Sequence, residues 1–276
     1  MIDLLKMILM GIVQGIAEFL PISSSGHLLV LNKILNIQEP SMFIAQMLHF
    51  GTLISVLIVF FEDVKNMIIE FIKMIVKLLK REKFEINKDQ KLALLIIVAS
   101  IPTAIIALCF EDIFSAYYNN LRSVSLMFMI TAIMLFLTDK YPSKNKKAFN
   151  LNYLSAFGIG MVQGIAIMPG ISRSGSTIFA GSILDLNKSE AARFSFLISL
   201  PATFGAFLFG LKDVLKSGEA VSFNLSIIVG ILTSAVVGIV SIKFLLNLLN
   251  KNKMSYFSIY LVVISILTFI LGWFDE

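Results

Sequence analysis

Cysteine and histidine are nearly missing from this sequence. The single cysteine, Cys109, excludes an intramolecular disulfide and any cysteine-based metal cluster. In its apolar run it reads as a small hydrophobe. Two histidines, His27 and His49, do not make a multi-histidine zinc site. Charge is scarce too, at 15% of residues, where soluble domains carry about 25%. No hydrophilic stretch is long enough to fold separately, so one membrane domain over 1–276 is expected. A cleavable signal peptide is not expected either, because Met1–Ile16 carries Asp3 and lacks a small-residue cleavage pattern.

What is present is apolar: 57% hydrophobic residues and a mean hydropathy of +0.88. A bilayer core about 30 Å thick needs roughly 20 apolar helical residues. Six segments meet that length, at about 42–61, 92–110, 122–138, 191–211, 225–248 and 255–273. Two other apolar stretches, 4–20 and 153–168, run into the polar segments PISSSGH and PGISRSGS. Short apolar pieces follow at 28–37 and 178–186. Short helix, polar turn, short helix is the pattern of a re-entrant hairpin, whose irregular backbone must be buried in protein or line a wet cavity. Between the first two spans, residues 62–91 carry eight basic and six acidic residues. The apolar positions Met67, Ile68, Phe71, Ile72, Ile75 and Leu79 suggest an amphipathic helix at the membrane surface.

The net charge of +5 does not point to nucleic acid, since the basic residues gather in particular loops. Loops 62–91, 139–152 and 249–254 hold fourteen of them, against four on the other side, namely Lys6, Arg122, Lys212 and Lys216. The first set is expected in the cytoplasm. Both termini, with Asp275 and Glu276, are then expected outside.

The chain also matches itself. Residues 11–28, GIVQGIAEFLPISSSGHL, and 160–177, GMVQGIAIMPGISRSGST, are identical at ten of eighteen positions at an offset of 149. Each half, 1–138 and 153–276, reads as one hairpin plus three spans. A hairpin adds no crossing and three is odd, so the second half is expected upside down relative to the first. The expected fold is an all-α integral membrane protein of six transmembrane helices and two re-entrant helical hairpins in an inverted repeat. Such repeats put their sites near the midplane, where broken helices direct their ends at a ligand.

Gln14 and Glu18 share a helix face ahead of Ser23, Ser24, Ser25, Gly26 and His27. In the second turn, Gly170, Ser172, Arg173, Ser174, Gly175, Ser176 and Thr177 open a short helix. Glycines allow close backbone approach. Free N–H groups at a helix start, hydroxyls and a guanidinium suit a phosphate. Glu18, His27 and Arg173 are costly at membrane depth, which marks them as functional candidates.

These motifs resemble the undecaprenyl-diphosphate phosphatases of the bacitracin-resistance type. That family carries a (Glu/Gln)-x-x-x-Glu motif, a serine-rich turn ending in Gly-His, and Pro-Gly-x-Ser-Arg-Ser-x-x-Thr. They stand here as Gln14…Glu18, PISSSGH (21–27) and PGISRSGST (169–177), in order, within a resemblance that covers nearly the whole chain. The resemblance implies hydrolysis of undecaprenyl diphosphate to undecaprenyl phosphate and phosphate. That recycles the lipid carrier for cell-wall synthesis and confers bacitracin resistance. It implies a bacterial plasma-membrane enzyme with a pocket open to the outer face, stimulated by Mg²⁺ or Ca²⁺. The partners expected are the isoprenyl diphosphate and membrane lipids, with a homodimer as a further expectation.

On this reading Arg173 clamps phosphates. Glu18 holds the metal or acts as base, and His27 transfers protons. Ser24 is either a nucleophile activated by His27 or only a phosphate ligand beside an attacking water. Gln14, Ser23, Ser25, Gly170, Ser172, Ser174, Gly175, Ser176 and Thr177 are candidate substrate contacts, and His49 reads as structural or supporting. The alternative function is a transporter or flippase of a lipid phosphate or small anion.

Overall fold

The computed structural model describes residues 4–34, 42–118, 120–217, 225–249, 251 and 253–274. Positions 35–37 of the first expected hairpin, and Asp275 and Glu276, lie outside the described residues. Among the described residues the fold is all helical, and the nearest thing to a strand is an isolated bridge between Lys146 and Leu186.

The first hairpin is α1 (Leu4–Ala17) and α2 (Ser24–Ile34). Next come α3 (Met42–Val59), α4 (Phe61–Leu79), α5 (Lys88–Cys109), α6 (Glu111–Tyr118) and α7 (Leu121–Lys140). A 3₁₀ turn, Ala148–Asn150, precedes the second hairpin, α8 (Tyr153–Ile165) and α9 (Arg173–Ile183). The chain continues as α10 (Lys188–Ser217), α11 (Leu225–Leu249) and α12 (Ser255–Phe274). The helices α5, α7, α10, α11 and α12 are long and apolar enough to cross a membrane. A sixth span is reached by counting α3 and α4 together, although they meet at 80°. Five of the six expected segments correspond to α5, α7, α10, α11 and α12, and the first falls on α3, which reaches the length of a span only together with α4. The sharp bend separates apolar α3 from α4, whose charged face carries Lys65, Lys73 and Lys77. The short helix α6 was not expected from the sequence.

Helices α1 and α8 have 14 and 13 residues. At 1.5 Å per residue they reach only about 20 Å, too short to span. Each ends in a turn, and each packs closely on a long helix from the other half: α1 on α11, α8 on α5. Glycines set that closeness. A Cβ on Gly11 would sit 2.7 Å from the Gly230 carbonyl oxygen, and one on Gly15 2.8 Å from that of Ser234. Their counterparts at the offset of 149 meet α5: a Cβ on Gly160 would run into the Ala99 carbonyl, and one on Gly164 would lie 2.8 Å from Ile106 Cβ. Small residues four apart let backbones approach inside a membrane, where packing drives association. Hydroxyls of α3, α5 and α11 add cross-helix bonds, from Ser55 to the Ala235 carbonyl, Thr103 to that of Gly160 and Ser234 to that of Leu48, each at 2.8 Å.

Ion pairs hold several helix ends together. Arg193 on α10 grips Asp63 on α4 through two bonds of 2.6 and 2.9 Å. Buried Lys188 meets Asp139 at 3.4 Å, while the other oxygen of Asp139 accepts the Ser255 N–H at the start of α12. Paired in this way, these charges are tolerable where isolated ones would not be.

Candidate active site

The two turns touch each other. A Cβ on Gly26 would lie 3.2 Å from Gly170 Cα, and one on Gly175 3.2 Å from Pro21 Cβ. Gly170, at φ +91°, occupies backbone space that few other residues adopt. Its carbonyl accepts from Thr131 on α7, whose hydroxyl oxygen also receives the Ser172 N–H at 3.1 Å. Thr131 thereby pins the second turn.

Two helices begin at this contact. Ser24 is the first residue of α2 and Arg173 the first of α9, and the two are repeat partners, 149 positions apart. Both reach one carboxylate. Ser24 Oγ donates to Glu18 Oε2 at 2.6 Å, and Arg173 Nη2 donates to Glu18 Oε1 at 2.8 Å. Glu18 stands just past the end of α1, where the N–H of Glu18 still bonds to the Gln14 carbonyl. Gln14 Nε2 lies 3.1 Å from Glu18 Oε2 and 2.9 Å from His49 Nδ1, and His49 Nδ1 is 3.3 Å from the same carboxylate oxygen. A buried ion pair costs desolvation unless its remaining lone pairs find donors. Here Ser24 and Gln14 supply donors to the carboxylate beside Arg173, and His49 Nδ1 stands against the Gln14 amide.

Arg173 is fixed from behind. Its Nη1 donates to the Ser195 carbonyl at 3.4 Å, its own carbonyl accepts from Thr177 at 2.8 Å, and the Thr177 and Ser195 hydroxyls are 2.6 Å apart. The other candidate hydroxyls of this turn have partners inside the protein. Ser172 caps α9 by accepting the Gly175 N–H at 3.1 Å, and Ser176 donates to the Ser172 carbonyl at 2.8 Å. Ser174 lies 3.3 Å from Ser172 Oγ and 3.5 Å from the Leu20 carbonyl. In the first turn, Ser23 Oγ is 3.4 Å from Ser25 Oγ and 3.5 Å from the Gly26 nitrogen.

The expected pairing of Ser24 with His27 is not formed. The spacing would put both on one side of a helical turn. The His27 ring turns instead to the Ser23 carbonyl and to Tyr260 on α12, each 2.8 Å away. Three further residues were not named as site residues from the sequence: His49, Ser195 and Tyr260. His49 carried a readable signal, as an ionisable residue in an otherwise apolar span. Ser195 and Tyr260 carried none.

Among the described residues no three His, Cys, Asp or Glu side chains gather to hold a metal. Among the described residues Glu18 is the one carboxylate that Ser24 and Arg173 meet, and both of its oxygens are engaged. A cage made by protein alone does not fit. One carboxylate does suit Mg²⁺ when substrate phosphates supply other ligands.

Fold and site together define an integral membrane protein with a partly buried ionic centre between two helical hairpins. Residues 7–267 match the family described as bacitracin resistance protein BacA, and the chain belongs to that family. It is 44% identical to an undecaprenyl-diphosphatase of Alkaliphilus metalliredigens, over 92% of this chain and 94% of that one. It is 41% identical to one of Halothermothrix orenii over 98% of both chains, and 37% identical to one of Methanosphaera stadtmanae over 99% of both.

Proposed function

We propose that the two hairpin tips form the active site in which this chain hydrolyses undecaprenyl diphosphate to undecaprenyl phosphate and inorganic phosphate. Family membership and the relatives' activity carry the reaction. The convergence of Ser24 and Arg173 on Glu18 carries the assignment of the site.

The diphosphate docks between the starts of α2 and α9, where the first N–H groups of a helix lack helical partners and favour anions. Arg173 swings part of its hydrogen bonding from Glu18 to the terminal phosphate and neutralises the charge that builds there. The Ser24 hydroxyl, already directed at Glu18, passes its proton to Oε2 as Oγ bonds the terminal phosphorus. The bond from that phosphorus to the bridging oxygen breaks, and its electrons leave with undecaprenyl phosphate. Water then bonds the phosphorus as the Oγ–phosphorus bond breaks. Oγ recovers the proton from Glu18, and the water's proton leaves with the phosphate. Gln14 and His49 hold the carboxylate in place. The 2.6 Å contact favours Ser24 as the nucleophile over a water that would need Glu18 free. The Ser172, Ser176 and Thr177 hydroxyls and the Gly175 N–H hold the second turn, leaving Ser23, Ser25 and Ser174 nearest the substrate role. A divalent cation, Mg²⁺ or Ca²⁺, would be held by Glu18 with the substrate's own oxygens and would supply charge neutralisation.

The halves form an inverted repeat, which the exchange of α1 onto α11 and α8 onto α5 supports. The pocket opens to the outer face, both termini lie outside, and the protein works in the plasma membrane as a monomer or homodimer. Phosphate release by purified protein in detergent tests the reaction. Release is expected with no membrane to cross, and a transporter would give none.

A further inference from the structure

Ser23 ends the first turn at φ +72°, a conformation that residues other than glycine seldom adopt. Such backbone persists where its surroundings hold it. The Ser23 carbonyl accepts the His27 backbone N–H at 3.2 Å and faces His27 Nδ1 at 2.8 Å. A carbonyl only accepts, so Nδ1 carries the proton, and Nε2 of the neutral ring is an acceptor. The Tyr260 hydroxyl, 2.8 Å from Nε2, is therefore the donor. The two rings stack with centroids 5.7 Å apart and planes 12° apart, and Phe128 closes an edge contact at 5.1 Å. Both nitrogens of His27 are thus committed, one to the turn and one to a helix 233 residues away.

We propose that Tyr260 is a positioning residue for the phosphatase reaction, acting through His27 to hold the Ser23 turn that aims Ser24 at Glu18. The inference rests on the reading of Ser24 given above. It gives His27 the task of orienting the turn, with proton transfer left to Glu18, and it makes the last helix of the chain part of the first hairpin's machinery. Tyr260 comes from the second half and His27 from the first, so the contact also fastens the two halves at the site.

Steady-state turnover of undecaprenyl diphosphate in detergent tests this with wild type, Tyr260→Phe, His27→Asn and the double variant. Tyr260→Phe keeps the stacked ring and loses only the hydroxyl. The expected result is a fall in kcat of about tenfold, with KM changed by less than about twofold. His27→Asn keeps a side-chain N–H for the Ser23 carbonyl and offers Tyr260 nothing, so adding Tyr260→Phe to it is expected to cost nothing more. A general loss of stability would instead multiply through the double variant. Wild-type kcat in Tyr260→Phe, or an undiminished loss in the His27→Asn background, would overturn the proposal. Full turnover in Ser24→Ala would overturn the reading of Ser24 on which the inference rests, a failure distinct from loss of coupling between Tyr260 and His27, because that cycle does not involve Ser24.

Discussion

A single carboxylate organises the site. Glu18 receives Ser24 on one oxygen and Arg173 on the other. Arg173 uses Nη2 for Glu18 and Nη1 for the Ser195 carbonyl, a fork that an ammonium cannot reproduce. Arg173→Lys is accordingly expected to lose at least about tenfold in kcat, equal to about 1.4 kcal/mol, although the charge is retained. Phosphate-release assays on the two purified proteins check this, and equal rates would mean that charge alone suffices. The candidates themselves were readable, because ionisable residues in apolar surroundings stand out. Their contacts were less so. Ser24 reaches Glu18 because the chain reverses between Ala17 and Ser24, and the dihedral angles of that reversal, including φ +72° at Ser23, do not follow from residue types. His27 turns away because of Tyr260, which no local pattern links to it.

At the scale of helices, glycines set how closely each hairpin packs on its long partner helix. Gly160 has the tightest setting on α8, against the Ala99 carbonyl, whereas a Cβ on Gly158, two residues earlier, would meet nothing within 4 Å. Gly160→Ala is expected to destabilise by about 1–3 kcal/mol, the usual cost of overpacking. Gly158→Ala is expected to be neutral or slightly stabilising, because alanine favours the helix. Thermal unfolding in detergent distinguishes them, and equal Tm values for the two variants would contradict the packing account. The hairpins and long helices were legible from hydropathy and from the repeat. The helix pairings were not: the spacing of Gly11 and Gly15, repeated at Gly160 and Gly164, announces a close contact without naming its partner.

At the scale of the molecule, the repeat explains why a serine and an arginine meet. Ser24 and Arg173 occupy equivalent positions of the sequence repeat, and the proposed inversion of the halves accounts for both helix starts reaching one point, while Glu18 has only Ile167 as its counterpart. One half supplies the carboxylate and Ser24, the proposed nucleophile, and the other supplies Arg173. With Cys109 replaced by alanine, single cysteines at Ser143 and Ser217 are expected to label from opposite faces of the membrane, the first from the cytoplasm. Labelling from the same face would remove the inversion. In the proposed mechanism Ser24, held by Glu18, attacks the terminal phosphorus. The most direct measurement is phosphate release by purified Ser24→Ala, compared with wild type at saturating undecaprenyl diphosphate. Loss of the nucleophile is expected to lower kcat by at least about a thousandfold, about 4 kcal/mol of barrier. A Ser24→Ala enzyme within a few-fold of wild type would contradict the account and leave water, activated by Glu18, as the attacking group.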